Sequence, residues 1–203
     1  MASRLPTVSV NRGKIFYAPW YRSQTFFFLL EGRIRIYRAS KGREMTVDVV
    51  LPGGFFGEAS LAAMEQGAYA QAMENSTVAI MHCQTLRRLV EENPQVGMFM
   101  IETLIQRLNL QESRLEELAL KEIPARLSRL LLRIGEQEGK KEPQGTLLPY
   151  RYTHQTLASL IGCERPALTR ALHQLEEIGA MLHSGRDLYI IDSEILKRAS
   201  QGP

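Results

Sequence analysis

Three polar residues in the carboxyl-terminal third of the sequence have the chemistry needed to contact nucleic-acid bases. Arg165, Thr169 and Arg170 lie in a predicted helix whose other positions include a set of apolar residues, which leaves these three pointing outward. An arginine side chain can donate two parallel hydrogen bonds to O6 and N7 of guanine. The alternative interpretation is that the arginines are ordinary surface charges, one of them paired with Glu164.

The segment around these residues has the pattern of a helix-turn-helix. Thr153 is a candidate N-cap for a first helix over 154–161, Gly162 supplies the turn, and the second helix covers 164–178. The two helices of this motif cross closely, so a small residue such as Ala158 is needed where they touch. The predicted apolar contacts are Leu157, Ile161, Cys163, Leu168, Ala171 and Leu172.

A tight hairpin is predicted after the second helix. Gly179 ends that helix, and Met181–His183 and Leu188–Ile191 form two strands around a turn at 184–187. A helix-turn-helix followed by such a hairpin is a winged helix, whose tip at Ser184–Arg186 would lie beside a phosphate backbone. Four arginines and four acidic residues balance between positions 151 and 187, so nucleic-acid binding must depend on where the charges point.

The amino-terminal half of the chain has strand chemistry. Arg33–Arg38 alternates charged and apolar residues, which places Ile34 and Ile36 on one buried face. Lys41-Gly42 offers a hairpin turn, and Met45–Leu51 is the returning strand. Short strands broken by glycine turns predict an antiparallel barrel or sandwich.

A long helix is predicted between the two halves, from Pro94 to Leu120, because Asn93 can cap it and the next proline is Pro124. One set of its apolar residues has heptad spacing, and Gln111 fills the vacant core position. We interpret this set as a parallel homodimer seam, with Gln111 fixing the register; the alternative is a helix that lies on its own barrel. The predicted seam residues are Ile101, Leu104, Leu108, Gln111, Leu115 and Leu118.

Residues 119–124 are a candidate hinge, 125–133 resume as an amphipathic helix, and Gly135–Gly145 is predicted to be a solvated loop. The chain has 203 residues, 44% of them hydrophobic, and a formal net charge of +3, which is ordinary for a globular protein. Its two cysteines exclude a cysteine-rich metal site, and the longest apolar run is too short to cross a bilayer. We therefore expect a cytoplasmic protein with no membrane partner.

The order of these elements resembles the Crp/Fnr family of bacterial transcription regulators. Short segments at family spacing carry the resemblance along nearly the whole chain: Glu31-Gly32-Arg33-Ile34, Pro52-Gly53-Gly54-Phe55-Phe56-Gly57-Glu58, Asn93-Pro94, Ala125-Arg126-Leu127 and Ile161-Gly162-Cys163-Glu164-Arg165. The resemblance implies a homodimer with an effector pocket in each β-roll. It also implies recognition helices about 34 Å apart on a near-palindromic site in double-stranded DNA, with RNA polymerase as a partner.

The resemblance also implies where an effector would bind. Cyclic-AMP-binding members hold the nucleotide with a glycine–glutamate pair, an arginine–serine pair and a threonine–serine pair of the dimer helix. Here Gly57-Glu58 matches the first pair, but Ala68-Tyr69 and Gln111-Glu112 replace the others. Without the arginine the phosphate loses a bidentate partner, so cyclic AMP is not the expected effector. The pocket residues implied are Phe56, Gly57, Glu58, Ala68, Tyr69, Arg107, Gln111 and Glu112.

Arg107 and Glu112 also resemble the dimer-helix arginine and glutamate of the cyanobacterial nitrogen regulator, which binds 2-oxoglutarate. The β-roll arginine of that clamp is missing, and Arg107 can equally be a surface residue or an ion-pair partner. The haem-binding and iron–sulfur branches match poorly, so no cofactor is expected. An effector other than cyclic AMP and no effector at all both stay open.

The predicted recognition helix, residues 164–178, departs from the family at one position. Family members often have a glutamate where this sequence has Pro166, so we expect an altered preference at the base pair that the glutamate would contact. We assign base reading to Arg165, Thr169 and Arg170. Residues expected to contact the phosphate backbone are Thr153, His154, Gln155, Ser184 and Arg186.

The sequence thus predicts an α+β chain with three parts: a β-roll over 1–92, a dimerisation helix over 93–120 and a winged helix over 121–203. The leading hypothesis is a dimeric, sequence-specific DNA-binding regulator, not an enzyme. One alternative is a small-molecule sensor that acts through protein partners. Another is a metal-dependent jelly-roll oxygenase, which needs two histidines and a carboxylate, whereas the β-half contains only His82.

Overall fold

The computed structural model describes residues 5–62, 64–148, 152–185 and 187–201. It divides into two units, of which the first extends to Gln111 and the second begins at Glu112. The strands are β1 Thr7–Val10, β2 Ile15–Tyr17, β3 Thr25–Glu31, β4 Ile34–Ser40, β5 Arg43–Val50, β6 Phe55–Phe56, β7 Tyr69–Ala72, β8 Ser76–His82, β9 Lys140–Glu142, β10 Gly145–Leu147, β11 Met181–Ser184 and β12 Asp187–Ile190. The helices are α1 Cys83–Glu92, α2 Pro94–Leu120, α3 Ile123–Glu138, α4 His154–Ile161, α5 Arg165–Glu177 and α6 Ser193–Gln201.

Two antiparallel four-stranded sheets form the first unit, in the orders β1-β8-β3-β6 and β2-β7-β4-β5. Their alternating apolar residues form a shared core that includes Phe27, Leu29, Ile34, Phe56 and Val78. The rings of Phe27 and Phe56 stack with centroids 4.8 Å apart. The predicted antiparallel β-roll is confirmed.

A β-bulge interrupts the pairing of β4 with β5. Ile36 is opposite Asp48, but the next residue, Tyr37, is opposite Thr46, so Val47 is the extra residue. Ile34 and Ile36 are on the core face of the sheet, and cross-strand partners share a face. Asp48 therefore points toward the inside of the β-roll, although it is charged.

The helix α2 begins at Pro94 and ends at Leu120, as the prolines predicted. Asn93 accepts a hydrogen bond from the backbone N–H of Gln95 through its side-chain oxygen (3.2 Å), which caps the first turn. Met100 is the one residue of this helix that is fully buried, and it packs with Phe26 and Phe55. Most of the other apolar side chains of α2 are exposed in the single chain.

The second unit contains the winged helix. Helices α3, α4, α5 and α6 pack around one core that includes Leu127, Leu131, Leu157, Leu168 and Leu196, each fully buried. Its sheet has the order β11-β12-β10-β9 and is antiparallel throughout. The predicted helix-turn-helix and wing are both present, within one residue at most of the predicted helix ends.

The predicted solvated loop over Gly135–Gly145 is wrong. Helix α3 continues through Gly135 to Glu138, and β9 and β10 form a hairpin that begins within that range. A Cβ at Gly135 would stand 2.6 Å from the side chain of Ile190, so glycine lets the helix approach β12 closely. In the described parts of the chain, no helix is long and apolar enough to span a bilayer.

Candidate functional site

Arg107 of α2 is an ion-pair residue inside the first unit. Its Nη1 bonds to the carboxylate of Glu58, its Nη2 donates to the backbone carbonyl of Phe55, and its Nε lies 3.5 Å from Oδ2 of Asp48. The guanidinium carbon also lies 4.7 Å from the centre of the Phe55 ring. One arginine thus faces two carboxylates, and all three side chains are mostly buried. Of the roles considered for Arg107, the structure favours the ion-pair partner over a surface residue or a free anion receptor.

Gly57 and Tyr17 complete the surroundings of Glu58. Gly57 has a φ of 93°, and a Cβ there would stand 3.1 Å from the carbonyl oxygen of Thr25, so this turn requires glycine. Burial, followed by the nearby Glu58 carboxylate, raises the pKa of the Tyr17 hydroxyl well above its ordinary value. Tyr17 is therefore protonated at neutral pH and adds no charge to this site.

The side chain of Gln111, a predicted seam residue, contacts the β-roll of its own chain. Its side-chain amide donates to the backbone carbonyl of Val47 (2.6 Å), the bulged residue of β5. Gln111 stands one turn after Arg107, so both side chains reach the β-roll from the same face of α2. A polar gap in the heptad pattern thus marks a contact within one chain.

Other predicted pocket residues have different outcomes. Phe56 is fully buried and forms part of the sheet core through its ring. The prediction for Tyr69 is wrong, because it pairs with Tyr37 in register and stacks on its ring at 5.0 Å, on the sheet face opposite Ala70 and the core. Ala68 is buried just before β7, and Glu112 is an exposed residue of the second unit. For these two the pocket role stays a prediction.

The predicted base-reading residues lie on the exposed side of α5. Arg165, Thr169 and Arg170 are all exposed, whereas Leu168, Ala171 and Leu172 are buried. Glu164 is the N-cap residue and Pro166 is in the first turn, where proline does not disturb the helix. Gly162 ends α4 with a φ of 68°, which is the left-handed turn expected for a helix-turn-helix.

The amino terminus of α4 contacts α5 through polar groups. Thr153 caps α4 by accepting the backbone N–H of Thr156 (3.1 Å). Nδ1 of His154 lies 3.1 Å from Oγ1 of Thr169, and that hydroxyl also donates to the carbonyl of Arg165 (3.1 Å). Thr169 therefore joins α4 to α5 through its hydroxyl, and it is also an exposed residue of the predicted recognition helix.

The remaining predicted backbone contacts lie at the helix start and the wing. Gln155 is exposed in the first turn of α4, and Ser184 is exposed at the end of β11. Gly185, with a φ of 64°, forms the wing turn. Arg186 lies outside the described residues. Of the predicted phosphate-contacting residues that the structure describes, three are exposed: Thr153, Gln155 and Ser184. The fourth, His154, is partly buried where α4 contacts α5.

Four of the predicted seam residues are exposed on α2: Ile101 (51%), Leu104 (42%), Leu108 (59%) and Leu115 (66%). Leu118 is partly buried. Leaving several leucines in water on one helix is costly, so the exposed row is typical of a surface that another chain covers.

Sequence reasoning missed Asp48, Tyr17 and Glu176 as members of these sites. A lone acid within the apolar strand Met45–Leu51 was the available signal for Asp48, but its face depends on the bulge. Glu176 accepts the backbone N–H of His183 (3.1 Å) and so joins α5 to the wing. Each of these residues gains its role from a contact distant in sequence.

Two family models match the chain. The cyclic nucleotide-binding domain matches residues 7–93, and the Crp-like helix-turn-helix domain matches residues 125–199. Together they cover both structural halves, in the order that the structure shows.

Similar proteins agree with the two family matches. A "CRP-like cAMP-activated global transcriptional regulator" of Mycobacterium tuberculosis is 24% identical, over 99% of this chain and 91% of its own. The "cAMP-activated global transcriptional regulator CRP" of Pasteurella multocida is 25% identical, over 83% of this chain and 82% of its own. These relatives are transcription regulators, not enzymes.

Solved structures share the fold over nearly the whole chain. A CRP/FNR-family transcriptional regulator of Thermus thermophilus has a TM-score of 0.83 at 25% identity, covering 97% of this chain and 99% of its own. The c-di-GMP-responsive global regulator of Xanthomonas campestris has a TM-score of 0.85 at 21% identity, covering 93% and 95%. The α+β architecture with its β-roll, long helix and winged helix is therefore a known one.

Proposed function

The chain belongs to the Crp/Fnr family of DNA-binding transcription regulators, and on that premise we propose that it acts as a homodimer on a near-palindromic operator. Each chain supplies one recognition helix, α5, to one half of the site. The observation that carries the proposal is the exposure of Arg165, Thr169 and Arg170 on the outer side of a helix whose inner side is fully buried. A regulator of this kind acts on RNA polymerase in the cytoplasm, where bacterial DNA lies.

The row of exposed apolar residues on α2 supports dimerisation. Ile101, Leu104, Leu108 and Leu115 recur at intervals of 3, 4 and 7 residues, which is the spacing of a coiled-coil seam. A parallel seam relates the two chains by a twofold axis, and a twofold dimer matches a DNA site whose halves are inverted repeats.

Sequence reading is assigned to the arginines of α5. In a major groove, Arg165 and Arg170 would donate to guanine edges, while Thr153, His154, Gln155, Ser184 and Arg186 would contact phosphates and set the register. The amino terminus of α4 adds partial positive charge at that backbone. This arrangement supports sequence-specific DNA binding, although positive and negative charges balance between positions 151 and 187.

The β-roll supports an effector other than cyclic AMP, or none. Arg107 is neutralised by Glu58 and Asp48, so no spare cation from this residue meets a phosphate. The Arg–Ser pair of cyclic-AMP-binding members is replaced by Ala68-Tyr69, and Tyr69 lies on the outer face. The same neutralisation makes 2-oxoglutarate a poor candidate for this site.

Enrichment of bound duplexes from a random pool tests the proposal. We expect an inverted repeat to be selected, and Arg165→Ala or Arg170→Ala to weaken binding to it by about 1–3 kcal/mol and to relax the preference at one base pair per half-site. Arg198→Ala is the matched control, because Arg198 is an exposed arginine of α6 in the same unit and lies outside the recognition helix. A pool that yields no inverted repeat, or arginine variants that bind like the control, would contradict the proposal.

A further inference from the structure

The second unit contains a connected group of titratable residues next to the recognition helix. Three of the four histidines of the chain lie in this unit: His154, His173 and His183. Nδ1 of His183 is 3.8 Å and Nδ1 of His173 is 3.7 Å from the Glu176 carboxylate. The rings of His154 and His183 are 5.7 Å apart, so the group runs from α5 through the wing strand to the first residue of α4.

The contacts of Thr169 favour one tautomer of His154. The Thr169 hydroxyl has a single hydrogen, and the carbonyl of Arg165 lies 3.1 Å away as its acceptor. The tautomer of His154 that satisfies both contacts carries its hydrogen on Nδ1, which leaves Nε2 as the basic nitrogen. Protonation at Nε2 keeps the bond to Thr169 and adds a charged N–H donor.

The charged neighbours of His154 come from two packed elements. On β11 there is His183, and on α5 there are Arg165, which opposes a positive charge, and Glu176, which favours it. Burial, together with His183 and Arg165, lowers the pKa of His154 below its ordinary value of 6.5. The free protein therefore holds His154 neutral at neutral pH.

We infer that His154, held by Thr169 and flanked by the His183 ring, binds a DNA phosphate as an imidazolium, so that DNA binding takes up a proton. This inference rests on the proposed function, because it needs the amino terminus of α4 against the sugar–phosphate backbone. A phosphate near Nε2 favours the charged ring and reverses the effect of Arg165 and His183. Affinity therefore rises as the pH falls, by at most about tenfold per pH unit for one proton.

Glu176 and His183 act in opposite directions on the charge of His154. Glu176→Gln keeps an oxygen acceptor for the backbone N–H of His183 and removes a negative charge. It therefore makes His154 harder to protonate. His183→Gln removes a repelling ring, so it makes His154 easier to protonate. The pH profile of DNA binding should move to lower pH in the first variant and to higher pH in the second. A purely structural role for these residues would not produce opposite shifts.

Fluorescence anisotropy with a labelled duplex selected from the random pool, from about pH 5.5 to 8 at fixed low salt, tests this inference on the full chain. We expect wild type and the control His82→Gln, which changes an exposed histidine of the first unit, to bind more tightly as the pH falls, and His154→Gln to lose most of that dependence. NMR titration of the His154 ring should show its pKa rising when the duplex is added. An unchanged pH slope in His154→Gln, or shifts of the same sign in the other two variants, would overturn the inference. Absence of binding by wild type at every pH would instead contradict the proposed function.

Discussion

Arg107 of α2 and Glu58 of the turn after β6 form an ion pair inside the β-roll, and Asp48 of β5 faces the same guanidinium at 3.5 Å. The arginine also donates to the carbonyl of Phe55 and covers its ring. A residue of the long helix thus holds together a strand, a glycine turn and the helix itself. This relationship links the stability of the β-roll to the position of α2.

Removing the arginine should destabilise the first unit. Arg107→Met removes the cation that two partly buried carboxylates share, so we expect a loss of about 1–3 kcal/mol in the free energy of unfolding. Urea denaturation at neutral pH measures this loss. Arg22→Met is the matched control, because Arg22 pairs with Glu65 on the surface, and its loss should cost less than about 1 kcal/mol. Equal effects of the two variants would show that the buried pair has no special role.

Cyclic AMP should leave this protein unchanged. Because Arg107 is neutralised and Tyr69 stacks on Tyr37 instead of facing the core, a nucleotide phosphate lacks a charged partner from either position. We expect no heat of binding in calorimetry and no rise in Tm at millimolar nucleotide. The Mycobacterium tuberculosis relative, a cAMP-activated regulator by name, is the positive control. A Tm rise that saturates with nucleotide would refute this expectation.

Charge on the exposed row of α2 should separate the subunits. Leu108→Asp places a carboxylate at a position that is 59% exposed in the single chain but central in the proposed seam. We expect sedimentation equilibrium to give the monomer mass for this variant and the dimer mass for wild type. Leu51→Asp, at an exposed apolar residue of the β-roll, should remain dimeric. Both variants should keep a folded far-UV spectrum, since neither side chain is buried in one chain.

The cap of α4 should contribute to stability separately from DNA contact. Thr153→Ala removes the acceptor for the Thr156 N–H, which typically costs about 1 kcal/mol, while Thr153→Ser keeps the acceptor. Thermal unfolding compares the two variants. If alanine and serine have equal Tm values, the cap is not important for stability.

The sequence predicted the helices whose ends are marked by capping residues, prolines or glycines close to those ends. Asn93 and the spacing between Pro94 and Pro124 defined α2, and Thr153, Gly162 and Gly179 marked the ends of α4 and α5. The hairpin β9–β10 was missed because three-residue strands are too short to show a period of two, and its glycines and lysines are typical of a loop. Helix α3 continues through Gly135, where the side chain of Ile190, far along the chain, packs close to the glycine.

Errors at the effector site have a different cause. The bulge at Val47 changes which residues of β5 face the core, and the alternation in β7 turns Tyr69 outward. Both depend on strand pairing between distant segments, which a single sequence does not reveal. Gln111 was assigned to the seam on spacing alone, whereas its amide donates to the carbonyl of Val47, the bulged residue.

Native mass spectrometry of the protein on a duplex enriched from a random pool tests the central claim most directly. We predict a complex of two chains per duplex, formed on an inverted repeat and lost with Leu108→Asp. A single chain bound per duplex at saturation, with full affinity, would contradict the account.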